Sequence, residues 1–192
     1  MIIFDFNQVA ISNLMEQIGS SKAPVDESLV RHMILNTIRT YVKKFKDTHG
    51  PEVVIACDNR HYWRRDIFPF YKASRKKNRE ASGHDWASIF DCLGKIKQEL
   101  KDHSPYKVLD IDTCEADDII AVLAMKYSST QKIMILSSDK DFAQLQRFPN
   151  VEQYSPILKK TIKEPLPLLQ LKQLIIRGDK GDGIPNILSP DD

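Results

Sequence analysis

Residues 1–6 read MIIFDF, and residues 133–141 read IMILSSDKD. Each is a short apolar run that ends in acids, Asp5 in the first and Asp139 and Asp141 in the second. The pattern recurs in VVIACD, which closes on Asp58, and in VLDIDTCEADD, where Glu115, Asp117 and Asp118 follow the apolar residues. Apolar runs this short and rich in Ile and Val read as buried strands rather than helices. The carboxyl ends of parallel strands lie on one edge of a sheet. Acids far apart in sequence can therefore face a single crevice.

The segments between the runs carry helical spacing. Asp26 is an expected N-cap, and Leu29, Val30, Met33, Ile34, Ile38, Tyr41, Val42 and Phe45 recur at helical intervals up to about Thr48, before Gly50-Pro51. Trp86, Ile89, Phe90, Leu93, Ile96 and Leu100 predict a second helix that ends near His103. Thr113 is the expected cap of a third, running to about Tyr127. A short helix is expected around 141–147, an edge strand at 151–154, and a last helix over 168–177 after Pro165-Leu-Pro167. Strands alternating with helices predict an α/β fold: a mostly parallel twisted sheet with helices on both faces.

At 192 residues the chain suits one domain and needs no disulfide staples. Three cysteines, Cys57, Cys92 and Cys114, show no zinc spacing, so reduced thiols in a cytoplasmic protein are expected. No apolar run is long enough to span a membrane, and the N-terminus has no basic leader, so neither membrane contact nor a signal peptide is expected.

Clustered carboxylates repel one another and stay ionised cheaply only with cations between them. The EADD quartet alone is ordinary dressing for a helix N-terminus, and Asp139 and Asp141 alone could be a turn and a cap. Acids at three strand ends and one helix start together point to a divalent-metal site. Hard oxygen donors without histidine select Mg2+ or Mn2+, and more than four carboxylates suggest two ions. Asp179 and Asp182 in RGDKGDGIPN add to the acid set. That loop is not an EF-hand, because it lacks acids at alternate positions.

The net charge of +2 hides a strong asymmetry. Residues 60–79 read RHYWRRDIFPFYKASRKKNR, with cations at Arg60, Arg64, Arg65, Lys72, Arg75, Lys76, Lys77 and Arg79 against the single acid Asp66. Tyr62, Trp63, Phe68, Phe70 and Tyr71 are interleaved with them. Single-stranded nucleic acid is bound in this way, with cations on phosphates and aromatic rings on bases. A solvated basic face with its aromatic residues packed inward is the plainer alternative. The stretch follows Asp58 directly, which places its base at the acidic edge.

The ordered set IIFDF, ACDN, WRRDIFPFYKASR, EADD, SSDKDF and GDKGDGIPN resembles the flap endonuclease / 5′-nuclease family over essentially the whole chain. The resemblance implies a PIN-like fold with a basic helical arch at about 59–83, on a nuclease domain spanning 1–177. It implies that 178–192 begins a helix–three-turn–helix element that grips duplex DNA, left incomplete here. It further implies that Asp5, Asp58, Glu115 and Asp117, with Asp118 adjacent, hold one metal ion. Asp139, Asp141 and Asp182, supported by Asp179, would serve a second, for two-metal hydrolysis of phosphodiesters. Lys72 and Arg75 match a basic pair that contacts the scissile phosphate, and Tyr71 an aromatic that stacks near the cleaved nucleotide. The implied substrates are 5′-flap DNA, RNA–DNA hybrids from which RNA primers are removed, and duplexes with a 5′ end. A monomer working in replication beside a phage single-strand DNA-binding protein is the implied setting. Gly183 stands where the family has Asn. Two other readings compete: a PIN-type single-strand ribonuclease, against which the long basic segment and GDKGD argue, and a non-catalytic nucleic-acid-binding fragment.

Overall fold

The apolar runs are strands of one sheet in the computed structural model, which describes residues 1–19 and 24–190. The strands are β1 (Ile2–Asp5), β2 (Val53–Cys57), β3 (Lys107–Asp110), β4 (Ile133–Leu136), β5 (Val151–Ser155) and β6 (Lys160–Ile162). Their order in space is β3-β2-β1-β4-β5-β6. The first five are mutually parallel and β6 is antiparallel to β5. The sheet's edges are therefore β3 and β6, and 151–154 is not an edge as expected, since the three-residue β6 that covers it is too short for its alternation to be read.

Successive β1 residues supply opposite faces. Ile2 and Phe4 pack with α1 (Phe6–Ile18), α2 (Glu27–His49) and α5 (Trp86–His103), whereas Ile3 packs with α6 (Ala116–Tyr127) and a 3₁₀ helix at Lys140–Arg147. Both faces are covered, which is why the strands read as continuous apolar runs rather than alternating ones. Burying each of Ile2, Ile3 and Phe4 contributes roughly 1.5–3 kcal/mol. Two short helices, α3 (Trp63–Ile67) and α4 (Ser74–Ser82), lie within the basic segment, and α7 (Pro167–Arg177) follows β6. No helix among the described residues is long and apolar enough to cross a membrane.

Two further differences bear on the site. Helix α1, absent from the expected pattern, follows β1 with no loop, because Asp5 ends the strand and caps the helix in one residue. Its carboxylate accepts the Gln8 N–H at 3.2 Å. The cap of α6 is Glu115, not Thr113, which sits at φ +61° two residues earlier.

Sheet order fixes where a crevice must open. The strands leave β1 in opposite directions, toward β2 on one side and β4 on the other. At such a switch point the connections diverge and leave a cleft above the carboxyl ends. Asp5 ends β1, and Asp139 follows β4, its hydrogen-bonded neighbour.

Candidate functional site

Three helical N-termini meet this cleft. Asp5 caps α1, Glu115 caps α6 and Asp139 caps the 3₁₀ helix by accepting the Asp141 N–H at 2.9 Å. Asp58, in the loop after β2, accepts the first N–H of α6, from Ala116, at 2.7 Å. Each acid thus lies where unpaired backbone N–H groups and the helix dipole favour negative charge.

The acids of the floor feel one another. Burial raises the Asp5 carboxyl to about 7, and the charges of Asp58 and Asp139 add to the effect. Burial raises Asp117 to about 8, reinforced by Asp5, Asp139 and Asp58. Asp141 rises to about 6 through burial and through Asp139, Asp179 and Asp182. Strand ends from β1, β2 and β4 and the first turn of α6 therefore converge on one repulsive neighbourhood.

The remaining acids are engaged by cations. Glu115, only 1% exposed, accepts Lys72 Nζ at 2.5 Å, Arg64 Nη1 at 3.0 Å and the Tyr71 hydroxyl at 2.8 Å. Asp118 takes Arg64 through two bonds of 2.8 and 2.9 Å, the Trp63 indole N–H at 3.2 Å and the Glu115 backbone N–H at 2.9 Å. Burial pushes Asp118 up, but these donors more than offset it and hold the carboxyl below its ordinary value. Asp182 pairs with Arg75 at 2.6 Å and Asp179 with Lys140 at 2.7 Å. Burial likewise pushes Asp179 up, and Lys140 with the turn N–H groups brings it below the usual range.

The base of the basic segment is clamped to the C-terminal loop. Lys72 adopts φ +55°, a region a non-glycine residue rarely visits, and its N–H donates to the Asp182 carbonyl at 2.7 Å. Gly183, at φ +74°, lies under Phe70: a Cβ there would stand 2.9 Å from the Phe70 carbonyl oxygen. The close approach leaves no room for a Cβ and the positive φ favours glycine, which fits Gly183 at this position.

The ten candidate nucleic-acid contacts divide by exposure. Arg60, Arg65, Arg75, Lys76 and Lys77 are exposed, while Tyr62, Arg64 and Arg79 are half-buried. Tyr71 and Lys72 are buried beneath them, at 5% and 7%. Tyr71, for which the resemblance implies a stacking role, is buried against the acids in this structure, with Lys72 over its ring at 4.8 Å. Burial, then its bond to Glu115, raises its hydroxyl well above the usual tyrosine value. Arg65 lies over the Tyr62 ring at 5.2 Å and Arg79 over Phe90 at 5.6 Å.

Several supporting residues carry no motif. Asn7 donates to Asp58 at 2.6 Å and Ser137 to Asp5 at 2.9 Å. Gln153, fully buried on β5, donates to the carbonyls of Ser137 and Asp139 at 3.0 and 2.7 Å and so fixes the turn after β4. A glutamine at an inward strand position was the available signal for it.

The candidate donors are all carboxylates, the chemistry that hard divalent ions require, and the raised protons of Asp5 and Asp117 mark charge that a cation would relieve. Among the described residues, however, no three His, Cys, Asp or Glu side chains stand together at metal-ligand geometry. Glu115, Asp118, Asp179 and Asp182 are instead turned onto Lys72, Arg64, Lys140 and Arg75.

Residues 19–169 match the family described as 5′-3′ exonuclease, N-terminal resolvase-like domain. The chain is 42% identical over 190 residues to the ribonuclease H of Enterobacteria phage T4, covering 96% of this chain and 62% of that protein. It is 30% identical over 176 residues to the flap endonuclease Xni of Shewanella frigidimarina, covering 85% of this chain and 63% of the relative. It thus spans just over three-fifths of the length of these curated relatives. Among solved structures, a bacteriophage T5 protein co-crystallised with metal ions superposes with a TM-score of 0.78 at 16% identity, covering 98% of this chain and 70% of that one. A T5 flap endonuclease complexed with DNA and metal ions gives a TM-score of 0.77 at 17% identity, covering 98% and 70% respectively. With its motifs in family order, its fold shared and its matched segment covering most of its length, this chain belongs to the 5′-3′ exonuclease family.

Proposed function

We propose that this chain is the catalytic part of a divalent-metal-dependent, structure-specific 5′-nuclease that hydrolyses phosphodiesters near the 5′ ends of DNA and RNA–DNA hybrids. One observation carries the reading: Asp5, Asp58, Asp117 and Asp139, drawn from distant segments, come close enough at the sheet's switch point for the charges of Asp58 and Asp139 to bear on Asp5 and Asp117, directly beneath a cationic segment. Family membership supports it, and so do relatives named as a ribonuclease H and a flap endonuclease.

Asp5, Asp58, Glu115 and Asp117 are the residues to hold one ion, with Asp139, Asp141 and Asp182 serving a second. Such ions, Mg2+ or Mn2+, would activate water and neutralise charge developing on the phosphate. The chain's own residues position and neutralise. Lys72 and Arg75, which pair with Glu115 and Asp182 in this structure, would face the phosphate and stabilise its charge. Exposed Arg60, Arg65, Lys76 and Lys77 gather the strand electrostatically. Asn7, Ser137 and Gln153 keep the acids oriented. In this reading 59–83 is an arch over the strand. Residues 178–192, the last two outside the described residues, begin a duplex-gripping element, and the protein acts as a cytoplasmic monomer.

The test is cleavage of a 5′-labelled flap oligonucleotide with Mg2+, with Mn2+ and with EDTA, alongside single-stranded RNA. Flap cleavage that needs either metal and vanishes in EDTA is the expected result. Cleavage of single-stranded RNA alone, or binding without turnover in either metal, overturns the proposal.

A further inference from the structure

Helix α3 contains no buried residue, so apolar packing alone does not fix where it lies. The loop and first turn that open α6 fix it instead. The Asn59 N–H donates to the Cys114 carbonyl at 3.0 Å, and the Trp63 N–H to the Thr113 carbonyl at 3.0 Å. Side chains complete the seat. Trp63 gives its indole N–H to Asp118 at 3.2 Å. The Arg64 guanidinium, 4.6 Å from the centre of the Trp63 ring, gives two bonds to Asp118 and one to Glu115.

Asp118 is engaged more fully than the acids of the floor. Its carboxylate accepts two bonds from Arg64, one from the Trp63 indole and one from the Glu115 backbone N–H. Four accepted bonds are about the capacity of an ionised carboxylate. An ion at Asp118 would have to displace a planar, permanently charged guanidinium held at two points. Asp117 looks elsewhere, since neighbouring helix residues point roughly 100° apart. The charges that bear on it come from Asp5, Asp139 and Asp58. Arg64 is equally committed: its side chain is 28% exposed, against 49% for Arg75. A phosphate would have to displace Asp118 to reach it.

We propose that Arg64 and Asp118 are positioning residues, neither a nucleic-acid contact nor a metal ligand. Together they seat the first leg of the cationic segment on the first turn of α6. One turn of helix then carries Glu115 and Asp117 toward the crevice and, through Asp118, holds the exposed Arg60 and Arg65 at a set distance from them. What the seat is for rests on the nuclease reading, whereas its existence rests on the geometry alone.

Asp118→Asn and Arg64→Gln break the pair from either side, and the sign of the effect separates the roles. Affinity is read in EDTA by fluorescence anisotropy of a labelled 5′-flap oligonucleotide. Removing an acid would by itself tighten the binding of a polyanion. A lost seat should instead weaken it in both variants, by roughly tenfold, the scale of a hydrogen bond to a charged group. The double variant should be no weaker than either single one, because the pair acts as a unit. The salt slope should stay unchanged in Arg64→Gln, whereas a lost phosphate contact lowers it by about 1. Calorimetric titration with Mn2+ should give Asp118→Asn the same number of ions as the parent. In cleavage the loss should fall on KM more than on kcat. Arg64→Lys, which keeps the charge without the two-point bond, should recover part of the loss and serves in place of Arg64→Gln if that variant melts.

Flap binding in Asp118→Asn that equals or exceeds the parent's, additive losses in the double variant, or the loss of one Mn2+ ion overturns the proposal. If the parent binds neither Mn2+ nor flap, the nuclease reading falls and the seat is judged without either. The chain has two tryptophans, so Trp86→Phe leaves Trp63 as the sole indole reporter. Asp118→Asn should then raise the quenching of Trp63 by acrylamide, and unchanged quenching removes the seat.

Discussion

The floor of the site and the segment above it are built on opposite terms. The floor consists of strand ends and helix caps whose places are set by sheet register. All four β1 residues are buried, and Asp5 cannot move without moving the core. The cationic segment consists of α3 and α4, which contain no buried residue. It is held at its foot by Lys72 and Arg75 on Glu115 and Asp182 and by the Lys72 N–H on the Asp182 carbonyl. The floor owes its geometry to hydrophobic burial, the foot of the segment to charge. An element with few buried contacts belongs to the low-stability end of a protein. Ions or phosphates that compete for those charges can therefore reposition the segment while the floor stays put.

The sharpest break in this comparison is chemical. Asp139→Asn keeps the shape of the floor but removes a charge, and flap cleavage should fall by about 1,000-fold, the several kcal/mol expected of metal-assisted charge stabilisation. Circular dichroism and the melting temperature in EDTA should be preserved. Unchanged turnover would remove Asp139 from the site.

Next comes the foot of the arch. Lys72→Ala leaves Glu115 buried with only Arg64 and Tyr71, and urea unfolding in EDTA should show a loss of about 3 kcal/mol, the low end for a broken buried pair. Pairing it with Glu115→Gln should recover most of that loss. If the double variant is no better than the single, the foot is not held by charge.

The floor has its own pH signature. Asp5 and Asp117 have folded values of about 7 and about 8, above the 3.8 of an unfolded aspartate. Between those limits the native state holds more protons than the unfolded chain, so stability is fully present below pH 4 for these groups and is lost as pH rises toward 8. Melting in EDTA should therefore drop from pH 5 to pH 8, and Mg2+ should raise the melting temperature more at pH 8 than at pH 5. A flat profile would mean that Asp5 and Asp117 are neither desolvated nor crowded by the other acids.

Smaller effects are expected from the clamp and the outer segment. Gly183→Ala should cost about 1–2 kcal/mol through its positive φ and its contact with Phe70. Lys76→Ala should change stability by under about 0.5 kcal/mol, yet lower the salt slope of DNA binding by about 1.

Much of the floor was legible in the sequence because strands buried on both faces are written as uninterrupted apolar runs, and MIIFD, VVIAC and IMIL are such runs. The acids after them were legible for the same reason: a strand's carboxyl end has only one edge to face. The basic segment was legible as charge but not as structure. WRRDI and SRKKNREAS are helical without an apolar stripe, so no periodicity announces them. Helix α1 was obscured by its direct junction with β1, which removes the loop that separates two patterns. The cap of α6 was misplaced because Thr113 and Glu115 both fit the position, and only the backbone shows that Thr113 is left-handed.

The order of apolar runs and acids by itself determined an α/β sheet with a carboxylate edge, because burial and strand direction are local properties of the chain. Which strands neighbour β1, and hence which acids meet, was decided by tertiary structure. So were the pairing of Lys72 with Glu115 and the burial of Tyr71. These depend on contacts between residues tens of positions apart, whose free energy exists only once the sheet has assembled.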